Sequence, residues 1–94
     1  MYLDTLNHLG YYFFNIGEKD ASVAWLKQGW EICRDLPPAT YLEPNEIKGV
    51  MPLIAGNYIF GLKQSGLEAT ADKITMEVDE LKKRIAEASA EKKE

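Results

Sequence analysis

The sequence contains one histidine and one cysteine, residue types that often supply a catalytic base, a nucleophile or a metal ligand. General acid–base catalysis needs a positioned partner, and His8 has no serine or cysteine motif around it. Cys33 lies on an apolar face of a predicted helix, where a small buried hydrophobe is a better interpretation than a reactive thiolate. The two residues are 25 positions apart and form no ligand cluster, so we predict no metal site.

Carboxylates are numerous, but those of the C-terminal third are interleaved with cations. This pattern is typical of a solvated helix face whose charges pair at i,i+4, as Glu80 and Arg84 would. A catalytic site would require Asp4, His8 and Tyr11 to converge, and the sequence gives no sign of such a constellation. The glycines are isolated and form no phosphate-binding loop. We therefore predict that the protein is not an enzyme and binds no cofactor.

The composition is that of one ordinary globular domain. Of 94 residues, 46% are hydrophobic and 28% are charged, which argues against disorder. A net charge of −4 argues against nucleic-acid binding, because phosphate contacts need clustered Lys and Arg. The apolar run 51–62 is too short to cross a membrane. Asp4 lies near the start without a basic region, which is wrong for a secretory signal, so we expect a cytoplasmic protein without disulfides.

Apolar periodicity and helix breakers predict four helices. Gly17 and Gly66 supply the left-handed residue that ends the first and third helices. Asp20 is the predicted N-cap of the second helix, and Pro52 is the predicted first residue of the third. Prolines within 36–44 predict a connection, to which 45–50 can add a helical turn. The predicted helices are 3–16, 20–35, 52–65 and 67–88, with a connection at 36–51, in a single domain 1–88 followed by a frayed tail at 89–94.

The helices differ in how much of their surface is apolar. The second helix confines its polar residues to one narrow stripe, so it must pack against the first helix and against something that follows. The long fourth helix is dense in charge outside one apolar seam. That seam either covers the second and third helices of the same chain or pairs with a second copy to form a homodimer. The seam consists of Leu67, Ala71, Ile74, Val78, Leu81 and Ile85.

Small residues recur in the first two helices at positions where two backbones would meet: Gly10, Ser22 and Gly29. Because glycine costs about 1 kcal/mol inside a helix, two such glycines indicate close helix contacts. With the turn at 16–18, this segment resembles a tetratricopeptide repeat, in which two antiparallel helices pair through small residues. Larger apolar residues would fill the spaces between them and form the core face, namely Leu6, Leu9, Phe13, Ile16 and Leu26.

A second, weaker copy of the pattern begins at Pro52, with Gly66 at the turn and Ala71 at a small contact position. It departs from the family at Ile59, where a small residue is usual, and at Thr75, where a large apolar residue is usual. The turn glycines are 49 residues apart, against about 34 in tandem repeats of this family. The resemblance implies an all-α, four-helix antiparallel helical-repeat fold, with a long charged C-terminal helix, that binds segments of partner proteins.

The candidate binding residues lie mainly on one face of the first helix. Tyr11 and Phe14 are one helical turn apart, and Asn7 and Asn15 share their side of the helix. Some tetratricopeptide domains hold a peptide carboxylate with cations on the corresponding face. Here that face carries Asp4 and no cation, so the resemblance implies an aromatic groove instead. The alternative is that the aromatic residues pack beneath the third helix or the connection.

Two tryptophans are further candidates, because tryptophan is enriched at binding hot spots. They are five residues apart and point to different sides of the second helix, so one can be core while the other meets a partner. We predict a non-catalytic adaptor or regulator that binds another protein, not nucleic acid or membrane, through an aromatic helical face. The alternative is a structural subunit that dimerises through the fourth-helix seam. The predicted partner-binding residues are Asn7, Tyr11, Phe14, Asn15, Trp25 and Trp30.

Overall fold

The computed structural model describes residues 2–43 and 47–92, and within these ranges the chain is all-α with no strand. Four α-helices follow one another, with a short 3₁₀ helix, Pro38–Leu42, between the second and the third. The all-α, four-helix prediction is therefore confirmed. The helices are α1 Tyr2–Asn15, α2 Lys19–Asp35, α3 Ile47–Gln64 and α4 Glu68–Lys92.

The same three-residue turn joins α1 to α2 and α3 to α4. Gly17 and Gly66 adopt φ angles of 84° and 78°, in the left-handed region that glycine enters without strain. In each turn the N–H of the residue after the glycine donates to a carbonyl five residues earlier at 2.8 Å, which is a Schellman-type helix end. Both predicted stop signals are confirmed, and the chain forms two helical hairpins. The bonded pairs are Glu18 to Phe13 and Leu67 to Leu62.

The two hairpins pack as two layers around one core. The shortest dimension of the molecule, 15 Å, fits two layers of helices about 8–10 Å apart. α1 and α3 contact each other in one layer, and α2 contacts both of them from the other layer. The prediction that α2 is covered on two sides is confirmed. Trp30, Cys33 and Ile54 are fully buried at the centre, with no exposed surface.

α1 buries only part of the face predicted for it. Its buried residues are Leu3, Leu6, Asn7 and Gly10, whereas Leu9 and Phe13 are half-buried and Ile16 is exposed. The reason lies at Gly10, where a Cβ atom would stand 2.5 Å from Cγ of Leu26. Because Leu26 of α2 fills the space over this glycine, the side of α1 that carries Gly10 faces the core.

The apolar seam of α4 is buried against its own chain. α4 contacts α3 and the 3₁₀ helix, and four seam residues are buried while Ile85 packs against the same core. Leu67, in the turn before the helix, is the exposed exception. The seam therefore covers its own chain, which is the first of the two interpretations that the sequence leaves open. The buried members are Ala71, Ile74, Val78 and Leu81.

The predicted N-cap of α2 and the predicted end of α4 differ from the structure. α2 begins at Lys19, with Glu18 at the cap position and no side-chain cap hydrogen bond. Asp20 therefore lies in the first turn, where its carboxylate faces the positive end of the helix dipole instead of capping it. α4 continues to Lys92, four residues beyond the predicted end at about Ala88. Residues 93–94 of the predicted tail lie outside the described residues.

The predicted start of α3 is also wrong. The helix begins at Ile47 and runs through Pro52. Val50 and Met51, which precede the proline, are buried in the core. Their packing outweighs the backbone hydrogen bond that a proline inside a helix removes. The predicted connection 36–51 therefore ends before Ile47, and positions 45–46 of the predicted helical turn lie outside the described residues.

Candidate binding cleft

A cleft of about 130 Å³ opens between α1 and α3, and α2 forms its floor. It lies beside the face of α1 on which the sequence places the binding residues. Its lining combines three aromatic rings, two side-chain amides and small or aliphatic residues. The lining residues are Gly10, Tyr11, Phe14, Asn15, Ser22, Leu26, Asn57 and Phe60.

Two side-chain contacts fix the position of α3 beside α1. The rings of Phe14 and Phe60 lie with their centroids 5.4 Å apart and their planes tilted by 58°. Nδ2 of Asn57 donates a hydrogen bond to Oδ1 of Asn7 at 2.9 Å. The aromatic pair and the amide pair therefore hold the walls of the cleft at a fixed separation.

The floor of the cleft is formed where α2 crosses α1. The Ser22 hydroxyl, which is buried, donates to the backbone carbonyl of Gly10 at 2.6 Å. Leu26 packs over the same glycine, which has no side chain to exclude it. Gly10 and Ser22 were predicted as small residues at a close helix contact, and their place at this crossing is confirmed. The Ser22 hydroxyl proton is already used, so a ligand meets an apolar surface and a satisfied hydrogen bond at this depth.

None of the eight lining residues carries a charge. Tyr11 remains 62% exposed at the mouth and Phe60 remains 51% exposed on the opposite wall. An uncharged, aromatic lining favours apolar or neutral ligand groups, because an ionised group would lose hydration without gaining an ion pair. The cleft can therefore bind an uncharged side chain but offers no cation to a carboxylate.

The six predicted binding residues do not all line the cleft. Tyr11, Phe14 and Asn15 line the cleft together. Asn7 is buried behind it and contributes through its bond to Asn57 rather than through an open surface.

The two tryptophans do not belong to this cleft. Trp25 is half-buried and packs against the core. Trp30 has no exposed surface, and its indole N–H donates to Oε1 of Glu77 at 3.0 Å. The assignment of Trp30 to a partner-binding surface is therefore wrong, because it links α2 to α4 inside the protein.

Sequence reasoning missed Asn57 and Phe60, which form the α3 wall. A signal for one of them exists in the spacing of the two turns. Shifting Tyr11 by the 49 residues that separate Gly17 from Gly66 gives Phe60. The two exposed rings thus occupy equivalent positions in the two hairpins.

His8 and Cys33, the residues singled out for their chemistry, lie in different environments. His8 lies 3.8 Å from the Asp4 carboxylate on the outside of α1, with 74% of its side chain exposed. Burial raises the pKa of the Cys33 thiol to about 11, so the thiolate is scarce at neutral pH. In the described ranges no three His, Cys, Asp or Glu residues group to hold a metal ion.

A larger but more open depression of about 440 Å³ lies between the C-terminal part of α2 and α4. Its charged groups are mostly paired with each other: Arg34 lies 3.7 Å from Glu77, and Arg84 lies 3.4 Å from Glu80. Such pairs at a surface contribute little and leave few groups for a ligand. The smaller cleft between α1 and α3 is therefore the better candidate site despite its size.

No protein-family model, curated protein or solved structure matches this chain. Across the part of the chain that is described, none of the helices is both long enough and apolar enough to cross a membrane.

Proposed function

We propose that this chain is a non-catalytic adaptor or regulator that binds a segment of a partner protein in the cleft between α1 and α3. The observation that supports the proposal is the convergence of Tyr11, Phe14 and Phe60 from two hairpins on one uncharged cleft. Tryptophan, tyrosine and arginine are enriched among the few residues that dominate the energy of protein interfaces, and Tyr11 is exposed at this cleft. On this proposal the partner segment lies across both helices.

The two-hairpin architecture supports a role like that of a tetratricopeptide repeat. Both hairpins close with the same glycine turn, and the first packs through Gly10 and Ser22. Helical-repeat proteins use the helices of one layer as an extended binding surface. α1 and α3 form such a layer here, and a protein of this kind would act in the cytoplasm.

Selection of peptides from a random library on the immobilised protein tests the proposal. Selected peptides are then titrated against a Tyr11→Ala/Phe60→Ala variant, whose two exposed rings can be removed without opening the core. We expect binding to weaken at least about ten-fold, because aromatic anchors carry most of an interface's energy.

Tyr12→Ala is the matched control. Tyr12 is 57% exposed on the same helix, and it does not line the cleft. The control should bind the selected peptides as the wild type does. Binding that survives in the double variant, or that is lost equally in the control, would contradict the proposal.

A further inference from the structure

We infer that the partner segment is held in the cleft by a single phenylalanine side chain. This inference rests on the proposed function and specifies the chemistry of its ligand. It depends on three properties of the cleft, which are its volume, the arrangement of its rings and its lack of charge.

The volume of the cleft matches one phenyl ring. An engineered protein cavity of about 150 Å³, lined by Leu, Ile and Phe, binds benzene. The cleft here measures about 130 Å³ and is open on one side. A phenyl ring can therefore enter while the backbone that carries it stays at the mouth.

The aromatic walls favour a ring over an aliphatic side chain. Phe14 and Phe60 are tilted against each other by 58° with centroids 5.4 Å apart. Aromatic rings gain additional attraction in tilted or edge-to-face pairs with centroids about 4.5–7 Å apart. A third ring placed beside this pair can make such contacts, with Tyr11 at the mouth as a further partner.

The absence of charged residues in the cleft selects against charged side chains. The Ser22 hydroxyl already donates to the Gly10 carbonyl, so the floor has no donor left for a carboxylate. A lysine or glutamate side chain at this depth would lose its hydration without gaining an ion pair, whereas a phenyl ring carries no charge.

The amides at the cleft fit the backbone of the residue that carries the ring. A side-chain amide has two donors and one acceptor, and Asn57 uses one donor on Asn7. Asn15, exposed at the end of α1, adds a second amide to the lining. N–H and C=O groups flanking a bound ring can pair with these amides, so the ligand is a residue within a chain.

Titration of the ¹⁵N-labelled full chain with N-acetyl-phenylalanine amide tests the inference by two-dimensional NMR. We expect saturable shifts of the Gly10, Ser22 and Asn57 resonances, with a dissociation constant of about 1 mM for so small a ligand. The matched amides of leucine, glutamate and lysine should bind at least about five-fold more weakly.

Two variants test whether the phenylalanine amide binds in the cleft. Phe60→Ala removes one wall and should weaken phenylalanine amide binding at least about five-fold, while Tyr12→Ala should leave it unchanged. Both positions are exposed, and dispersed spectra of the variants establish that they fold. Equal affinity for all four amides, or shifts that map away from the cleft, would overturn the inference.

The library-selected peptides separate this inference from the proposed function. Peptides that bind in the cleft through a charged or aliphatic residue would overturn the phenylalanine assignment and leave protein binding intact. Peptides that lose cleft binding when one phenylalanine is changed to alanine would support both. If no peptide binds at the cleft, the proposed function fails, and the inference fails with it.

Discussion

At the scale of single residues, the absence of a side chain at Gly10 permits the close approach of α2 to α1. Leu26 occupies the space where a Cβ would lie, and Ser22 reaches the carbonyl of the same glycine. Gly56, in α3, has open space where its Cβ would be. Gly10 is therefore needed for helix packing and Gly56 is not, and replacing each glycine with alanine tests this difference.

Gly10→Ala should destabilise the protein by about 1–3 kcal/mol, since overpacking at buried Leu26 outweighs the gain in helix propensity. Gly56→Ala is the matched control and should stabilise by about 0.5–1 kcal/mol, because alanine restricts the unfolded chain and nothing blocks it. Urea denaturation measures both changes. A Gly10→Ala variant as stable as the wild type would show that the two helices are not in close contact there.

At the scale of elements, a buried hydrogen bond holds the connection between the hairpins against α2. The Tyr41 hydroxyl, on the 3₁₀ helix, donates to the Cys33 carbonyl at 2.5 Å. That carbonyl lies in the last turn of α2, where helical partners are missing. Burial raises the pKa of Tyr41, so the hydroxyl remains a donor at physiological pH.

Tyr41→Phe should lower the free energy of unfolding by about 1–3 kcal/mol, because a buried carbonyl loses its partner. Tyr12→Phe, at an exposed site, should change it by less than about 0.5 kcal/mol. Thermal melts of the two variants give the comparison. If both variants melt together with the wild type, the connection is not held by this bond.

Helix existence could be predicted from the sequence better than helix faces. Gly17 and Gly66 end helices by a local backbone requirement, so their effect is visible without tertiary contacts. The core face of α1 was predicted only in part, because apolar residues occupy nearly every side of that helix and do not single out one side. The fit of Leu26 over Gly10, which is a tertiary contact, selects the side that is buried. Phe60 joined the site because α3 lies beside α1, which no local pattern determines.

At the scale of the whole molecule, α4 completes the core of its own chain. Leu81, in the middle of its seam, is 3% exposed, whereas Met76 on the same helix is 72% exposed. The folded state of a single chain therefore needs the seam.

Leu81→Ala should destabilise the protein by about 2–5 kcal/mol, because it leaves a cavity in the core. Met76→Ala should have an effect within about 0.5 kcal/mol. The wild-type melting temperature should not change over about a 100-fold range of protein concentration, since folding does not depend on a second copy. A concentration-dependent melt, with Leu81→Ala giving a stable monomer, would restore the dimer through α4.

Site-specific photo-crosslinking of a library-selected peptide tests the central claim most directly. A benzophenone side chain is introduced in turn at Tyr11 and Phe60, which line the cleft, and at Tyr12 and Met76, which are exposed elsewhere. We predict crosslinks to the peptide from positions 11 and 60, and none above background from positions 12 and 76. Crosslinks predominantly from position 12 or 76 would show that the partner binds another surface and would contradict the assignment of the cleft.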